Sequence, residues 1–535
     1  MKIINNLILT LCFSFFTIVP QVVFYWFHDS LTLEIPMTTY SGLVLFLLVF
    51  SFIRNPIWRY ISMSFVLMLS LFQMVHLEFY GLPVFPAEIW LLFTQVSEIT
   101  GTLKEDIYIF LRPFLLVFPG LIILWKVNKL YPPKISAPYL HFIFIFYFIY
   151  NPTRTYLTGN TWGRQPSNQE FDGMNIYLSL SYFLGKIVPN KITGKSLEEP
   201  DIQITFKKTP VEDRNIIFII GESQTPFQMG LFGYKRDTTP YLDSLKENKD
   251  FFYTTGISSG VSTDISLAFI INNTFGLGGA ARVVKSDRCL FKLAKNNKFK
   301  TFFYSAQSSQ QLRYIINSLC PKYIDDYRSF SDITKATNDE NAANDHDLLD
   351  QLENINFTSG KNFIVLHHRG SHSPISLRFT EESHIFKNSI EDVGKTAIIN
   401  NYDNSTFHLD LFFKKLFKKI DKYTNTIVIY ASDHGEGVGQ NDIWGHGMLK
   451  KISMDIPIIG YSKNEQFRKK FDKFESIPNH LNITLLLSNL LGYETSVPFS
   501  QGFKYRVLGN DINGFAGWAD IIPKDGNYVL KVHYY

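Results

Sequence analysis

Apolar residues crowd the first 150 positions into five stretches: Leu7–Phe27, Tyr40–Ile53, Tyr60–Phe79, Ile107–Trp125 and Pro138–Tyr150. A membrane-crossing helix needs about 20 mostly apolar residues. The second and fifth stretches reach that length only with their flanks. The pattern predicts an N-terminal bundle of about five transmembrane helices. From Asn215 onward the pattern changes. Short continuous apolar runs appear at Ile216–Ile220, Thr301–Tyr304, Phe363–Leu366, Thr426–Tyr430 and Ile456–Tyr461. Continuous rather than alternating runs suit strands covered on both faces of a parallel sheet. Helical candidates lie between them, at Pro240–Glu247, Asp347–Leu352 and Phe407–Lys422. This predicts an α/β doubly wound, mostly parallel sheet. The expected organisation is a membrane domain over 1–152, a linker over 153–210 with one amphipathic, interfacial helix at Met174–Val188, and a soluble domain over 211–535.

Charge sharpens this division. Of the 100 charged residues among 535, only 15 fall in the first 150 positions. The composition excludes a small module, a disordered chain and a collagen-like repeat. A net charge of +4 gives no case for nucleic acid. Lys2, Arg54, Arg59, Lys126, Lys129 and Lys134 fall on one side of the five spans, and Lys104 on the other. This bias places the N-terminus in the cytoplasm and everything after Tyr150 outside. The first stretch has no small-residue cleavage site and reads as an anchor. Pro83–Thr100 is aromatic but interrupted by Pro86, Glu88 and Glu98, so it is expected to lie along the outer interface. His76 and Glu78 end the third span on that side, as interfacial caps or as contacts to a lipid headgroup. Of three cysteines, Cys12 lies in an apolar run, which leaves Cys289 and Cys320 as the only available pair.

In a doubly wound sheet, ligands bind beyond the carboxyl ends of the strands. Here those ends carry chemistry. Gly221-Glu222-Ser223 follows one run, His367-His368-Arg369-Gly370-Ser371-His372 another, and Ala431-Ser432-Asp433-His434-Gly435-Glu436 a third. Trp444-Gly445-His446-Gly447 adds an imidazole. Carboxylate and imidazole ligands suit zinc or manganese. Glu222, Asp433 and His434 make a three-residue set with one position open, as a catalytic metal requires. A single Asp-His pair is as often a loop or capping feature; convergence on strand ends favours the metal. The hydroxyl-rich run Ser258–Ser266 precedes the apolar Leu267–Ile271. A Ser or Thr there is ordinarily a helix cap. At a metal it would be a nucleophile, with the helix N-terminus helping to hold a phosphate.

These motifs resemble the phosphoethanolamine transferases of bacterial envelopes, within the alkaline phosphatase and sulfatase superfamily. Asn215–Ser223 is similar to that family's first strand and metal-binding Glu. Gly233-Tyr234-Lys235-Arg236-Asp237-Thr238-Thr239-Pro240 looks like its Gly-Tyr-x-Arg-x-Thr-x-Pro signature. Ser262-Thr263-Asp264-Ile265-Ser266 falls where the family has its nucleophilic Thr. Gly370-Ser371-His372-Ser373-Pro374 is close to its Gly-Ser-His-Gly-Pro. Asn401-Tyr402-Asp403-Asn404-Ser405 resembles the start of one of its helices. Ser432–Glu436 is similar to its most specific metal motif, and His446-Gly447 matches its later His-Gly. The resemblance implies zinc, one ion or two, held by Glu222, Asp433, His434 and the oxygen of Thr263. It implies that Thr263 takes phosphoethanolamine from phosphatidylethanolamine and that a lipopolysaccharide, lipid A or other envelope glycan acceptor then receives it. It assigns His372 and His446 to phosphate or substrate binding, to a second metal or to acid/base work, and Gln307 to binding the donor headgroup in place of the family's Asn-rich segment. It places the chain in the inner membrane, multi-pass, with its catalytic domain in the periplasm.

Some positions depart from the family pattern. Ser259 stands where many members have Cys, Ala268 where many have Pro, and Asp264 adds a charge beside the nucleophile. The Asn-rich donor segment aligns poorly with Ser305-Ala306-Gln307-Ser308-Ser309. These differences bear on the acceptor more than on the chemistry. The alternative is a phosphoglycerol transferase or phosphodiesterase of the same superfamily. A sulfatase would need a modified Cys or Ser nucleophile in a Cys/Ser-x-Pro-x-Arg context, which Thr263 lacks. A non-catalytic protein would have no reason to hold Glu222, Thr263, Asp433 and His434 together.

Overall fold

The computed structural model describes residues 3–28, 35–81, 83–86, 88–89, 107–137, 139–158, 171–193, 197, 204–285, 287–307, 312, 315–333, 344–388, 394–471, 474, 477–496 and 505–533. Most of Pro83–Thr100, part of the expected linker, and Ser308 and Ser309 lie outside them. The chain divides into two compact units. The first comprises Met1–Lys195 with Gly439–Trp444, and the second Ser196–Val438 with Gly445–His533.

Apolar helices occupy the five predicted stretches of the first unit: α1 (Ile4–Trp26), α2 (Met37–Ser51), α3 (Pro56–Tyr80), α4 (Tyr108–Leu130) and α5 (Leu140–Thr158). Ile4–Trp26, Pro56–Tyr80 and Phe110–Leu130 are long and apolar enough to cross a membrane by length and composition. The second helix has only 15 residues, and the fifth is diluted by Asn151, Thr153 and Arg154 near its end. Local chemistry sets the ends of α3. The Asn55 side chain accepts from the amides of Ile57 and Trp58, Pro56 takes the first turn, and Gly81 closes the helix at φ 70°. Arg59 is buried in this unit and is satisfied by backbone and amide oxygens. Its Nε donates to Asn128 Oδ1 at 2.6 Å, Nη2 to the Asn128 carbonyl at 3.0 Å and Nη1 to the Ile53 carbonyl at 2.8 Å. Glu78 meets His28 at 3.0 Å and Arg112 at 3.5 Å, and His76 meets Glu88 at 3.3 Å. A further helix, α6 (Asp172–Tyr182), covers the predicted amphipathic segment and continues through a π turn, Phe183–Ile187, to Thr193.

The second unit is built on seven strands: β2 (Arg214–Gly221), β3 (Phe251–Ile257), β4 (Lys300–Ser305), β5 (Asp326–Arg328), β6 (Lys361–His367), β7 (Thr426–Ser432) and β8 (Asp455–Tyr461), after a short β1 (Thr205–Lys208) that pairs elsewhere. Their order is β3-β8-β7-β2-β6-β4-β5. The pairs β7-β2, β2-β6, β6-β4 and β4-β5 are parallel, and β8 runs antiparallel to both its neighbours. β3 eluded the pattern because its middle residues are only half-buried. β2 shows why the central runs are apolar throughout. Ile216, Phe218 and Ile220 face one core with Leu267, Ile270, Phe291, Ile483 and Leu487. Ile217 and Ile219 face the other, with Leu409, Phe412, Phe413 and Leu416. Alternate residues of a strand point to opposite faces, so both sets must be apolar.

The helices on these faces include α7 (Thr263–Asn272), α8 (Lys395–Ile420) and α9 (His480–Leu490). Helix α8 begins three turns before the predicted Phe407, so Tyr402–Ser405 lies within it rather than at its start. An antiparallel sheet of Arg506–Leu508, Trp518–Lys524 and Asn527–His533 follows, with no counterpart in the expected pattern. Cys289 and Cys320 form a disulfide.

Candidate active site

Four adjacent parallel strands, β7-β2-β6-β4, end on one edge of the sheet. Asp433 and His434 follow β7, Glu222 follows β2, His372 follows β6 by five residues and Gln307 follows β4 by two. Parallel pairing alone brings these side chains to a common edge. Thr263 arrives by another route. Residues 258–262 lead from β3 to α7, held by Ser258 N–H on the Met454 carbonyl at 2.9 Å and Val261 N–H on the Leu508 carbonyl at 3.1 Å.

Thr263 is the first residue of α7, but its hydroxyl does not cap the helix. Its Oγ1 lies 3.1 Å from each carboxylate oxygen of Glu222 and 3.3 Å from His434 Nε2. His434 Nε2 is in turn 3.5 Å from Glu222 and 3.3 Å from Asp433 Oδ2. Glu222, Asp433 and His434 are fully buried and could hold a metal ion between them. Gln307 Nε2 donates to Glu222 Oε2 at 2.9 Å and to the His368 carbonyl at 2.8 Å. The rings of His434 and His446 are 4.1 Å apart between centroids, and those of His446 and His372 are 6.3 Å apart. All seven sequence-nominated residues therefore lie in one region. Gln307 spends its amide on Glu222, which orients that carboxylate. Asp264 is exposed and accepts from Ser262 Oγ at 2.8 Å.

The charge balance of this cluster calls for a cation. Among the described residues, no Lys or Arg pairs with Glu222 or Asp433. Asp433 Oδ2 is buried without a hydrogen-bond partner. Two buried carboxylates face one imidazole, which leaves a net negative charge whose burial costs several kcal/mol. Burial opposes a charge on His434, yet Asp433 and Glu222 outweigh it and raise its pKa to about 10. Two carboxylates, an imidazole and a hydroxyl are a donor set suited to a divalent metal such as zinc.

Backbone contacts hold the cluster in place. Ser223 adopts φ 54°, a left-handed conformation unusual for a residue with a side chain. Its N–H donates to Asp433 Oδ1 at 3.0 Å and its Oγ to Glu222 Oε1 at 3.0 Å. The buried Tyr402 hydroxyl donates to the Ser223 carbonyl at 2.6 Å and accepts from Thr225 N–H at 3.0 Å. Gly370, at φ 53°, lies against the backbone of Glu222, and a Cβ there would collide with the Glu222 carbonyl oxygen. Asp345 accepts from the amides of Arg369 at 2.7 Å and Gly370 at 2.9 Å, which fixes the loop leading to His372. Glu436 accepts from His446 Nδ1 at 2.8 Å and, with His434 and His446, forms a second group able to hold a metal. Sequence reasoning gave no role to Ser223, Tyr402, Asp345 or Glu436. Ser223, Tyr402 and Glu436 stood inside motifs already singled out; Asp345 had no such signal.

The fold thus places the Thr263 hydroxyl beside a buried group of residues that could hold a metal ion. A family model described as Sulfatase matches residues 214–491, more than half of the chain. The chain belongs to the sulfatase family. It is 26% identical over 423 residues to phosphoethanolamine transferase EptA of Helicobacter pylori, covering 75% of this chain and 74% of that protein. It is 28% identical over 281 residues to the Kdo(2)-lipid A phosphoethanolamine 7''-transferase of Salmonella typhimurium, covering 50% of this chain and 46% of that one. The match thus spans about half the length of that second relative. Its fold is similar to that of the integral membrane lipooligosaccharide phosphoethanolamine transferase A of Neisseria meningitidis. The TM-score is 0.58 at 17% identity, over 91% of this chain and 95% of the other.

Proposed function

We propose that the protein is a phosphoethanolamine transferase of the bacterial inner membrane. It takes phosphoethanolamine from phosphatidylethanolamine, carries it on Thr263, and passes it to lipid A or another envelope glycolipid or glycan. Residues 211–535 form its catalytic domain, in the periplasm. The observation that carries this reading is the Thr263 hydroxyl, 3.1 Å from both Glu222 oxygens and 3.3 Å from His434 Nε2. The names of its relatives support the transferred group and the acceptor class.

A zinc ion held by Glu222, Asp433, His434 and the Thr263 oxygen would lower the pKa of the hydroxyl and neutralise charge on phosphoryl oxygens. Thr263 Oγ1 loses its proton and forms a bond to phosphorus as the bond from phosphorus to the diacylglycerol oxygen breaks; that oxygen takes up a proton, so none is gained or lost overall. The first amides of α7 sit beside Thr263 and favour an anionic phosphoryl group. His372 and His446 border the cluster, placed for phosphoryl oxygens and for the proton that the departing glycerol oxygen takes up. In the second step an acceptor oxygen attacks the same phosphorus and gives up its proton, the bond to Thr263 breaks, and Thr263 Oγ1 regains a proton. Splitting transfer into two displacements lets one site serve two substrates in turn.

The test is intact mass of the purified full chain after incubation with phosphatidylethanolamine, beside Thr263→Ala. A phosphoethanolamine adduct on the wild type alone is the expected result. An adduct only with phosphatidylglycerol, run in parallel, would replace this reading with phosphoglycerol transfer.

A further inference from the structure

One fully buried imidazole beside the cluster has no part in the chemistry above. His480 is the first residue of α9, whose start is fixed by a reciprocal cap between Asn479 and Asn482. Its Nδ1 lies 2.9 Å from the backbone N–H of Ser259 and 3.0 Å from the Ser259 hydroxyl. Its Nε2 lies 2.9 Å from the backbone carbonyl of Ser432. A backbone amide can only donate, so Nδ1 must carry a lone pair. The proton then sits on Nε2 and is donated to Ser432. A single neutral imidazole, in one tautomer, thus spans two segments that are far apart in the chain.

Those two segments carry the reacting groups. Ser259 lies in the loop that delivers Thr263. Ser432 immediately precedes Asp433 and His434, and its hydroxyl donates to the His434 carbonyl at 3.0 Å and accepts from Gln224 N–H at 2.9 Å. We infer that His480 is a positioning residue: its imidazole clamps the nucleophile loop to the strand end that bears Asp433 and His434. The inference rests on the transferase reading only in that Thr263 is the nucleophile. The clamp is mounted on a capped helix, which gives it a rigid base. Partners that orient metal-site groups from outside commonly govern metal affinity or activity by 10- to 100-fold.

The experiment uses the full chain in detergent with His480→Asn, His480→Gln and Leu487→Ala. Asn can reproduce the acceptor at Nδ1 and Gln the donor at Nε2, but neither spans both ends. Leu487 is a buried core residue of the same helix and serves as the stability control. Zinc affinity is measured with zinc alone against a competing chelator. Turnover of phosphatidylethanolamine is measured at a temperature well below every melting point. Both His480 variants are expected to bind zinc at least about tenfold more weakly and to lose at least about tenfold in kcat, with KM within about twofold. Leu487→Ala is expected to lower the melting temperature while leaving zinc affinity and kcat near wild type. Wild-type zinc affinity and kcat in either His480 variant would overturn the inference. Should both variants unfold, histidine-selective ¹⁵N NMR of the wild type decides it: an Nε2–H neutral imidazole is required, and an Nδ1–H tautomer or an imidazolium at pH 7 overturns it. The zinc measurement involves no lipid. Weakened zinc in the variants of a wild type that transfers nothing would therefore reject the transferase reading and keep the clamp.

Discussion

Thr263 Oγ1, both Glu222 oxygens and His434 Nε2 lie within hydrogen-bond reach of one another, and Asp433 adds a carboxylate oxygen that meets His434 at 3.3 Å and has no hydrogen-bond partner. Removing one ligand should therefore cost metal and activity together. Asp433→Ala is expected to lower zinc content well below one per chain and to abolish turnover, measured by metal analysis alongside lipid assay. Stoichiometric zinc in that variant would reject the ligand assignment. Tyr402→Phe tests the support around Glu222. It leaves the Ser223 carbonyl and the Thr225 amide without their buried partner. An unsatisfied buried group costs about 1–3 kcal/mol, so a lower midpoint in chemical denaturation is expected with the fold retained. Glu222, Asp433 and His434 were legible as candidates because each stands within a few residues of the end of an apolar run, where a strand must end; Thr263 showed only as part of a hydroxyl-rich run ahead of a helix. Tyr402 and His480 were not legible, because their role is to accept and donate hydrogen bonds at backbone atoms distant in sequence. No local pattern encodes such a partner.

Elements decide how the site is assembled. The parallel strands β7, β2, β6 and β4 align their ends by hydrogen-bond register, with Gly221 opposite Ser432 and Ile220 opposite His367. The loop carrying Thr263 has no such register and depends on side contacts, among them the base of α9. Asn479→Ala removes one half of the cap that opens α9. Loss of an N-cap costs about 0.5–2 kcal/mol, so a measurable fall in melting temperature is expected. Because His480 is the next residue, a parallel fall in kcat is also expected, larger than that of Leu487→Ala at equal loss of stability. Equal kcat in the two would separate the cap from the site.

At the scale of the whole molecule, pH acts through buried imidazoles. Burial lowers the pKa of His367 to about 4, of His480 to about 4 and of His408 to about 3, from an ordinary value of 6.5. Between those values the unfolded chain binds protons that the folded chain does not. The contribution of these imidazoles to folding stability therefore rises with pH across this window and is lost as pH falls from 6.5 toward 4. Each group contributes about 1.4 kcal/mol per pH unit in that window. Burial raises the pKa of Asp410 to about 7 and of Asp403 and Asp455 to about 6, and these act in the opposite direction over the same window. The imidazole contribution is therefore read as a difference: His408→Gln should gain melting temperature relative to the wild type as pH falls from 6.5 to 4. A difference between the two chains that does not change with pH would show that the His408 imidazole is already charged when folded.

Some of this architecture follows from the sequence by itself. A run of apolar residues near 20 long has few stable homes but a membrane, and the runs of α1, α3 and α4 are of that kind. A short β-branched run such as Ile216–Ile220 must be covered on both sides, and its end must carry the polar residues that the core excludes. Those rules place Glu222, Asp433 and His434 at strand ends with no further information. The tertiary structure alone decided the antiparallel course of β8, the half-exposed β3, the early start of α8, and the pairing of Ser259 with Ser432 through His480. Each depends on which distant segment lies alongside. That choice is made by packing and hydrogen-bond closure over the whole unit, where local propensity has no reach.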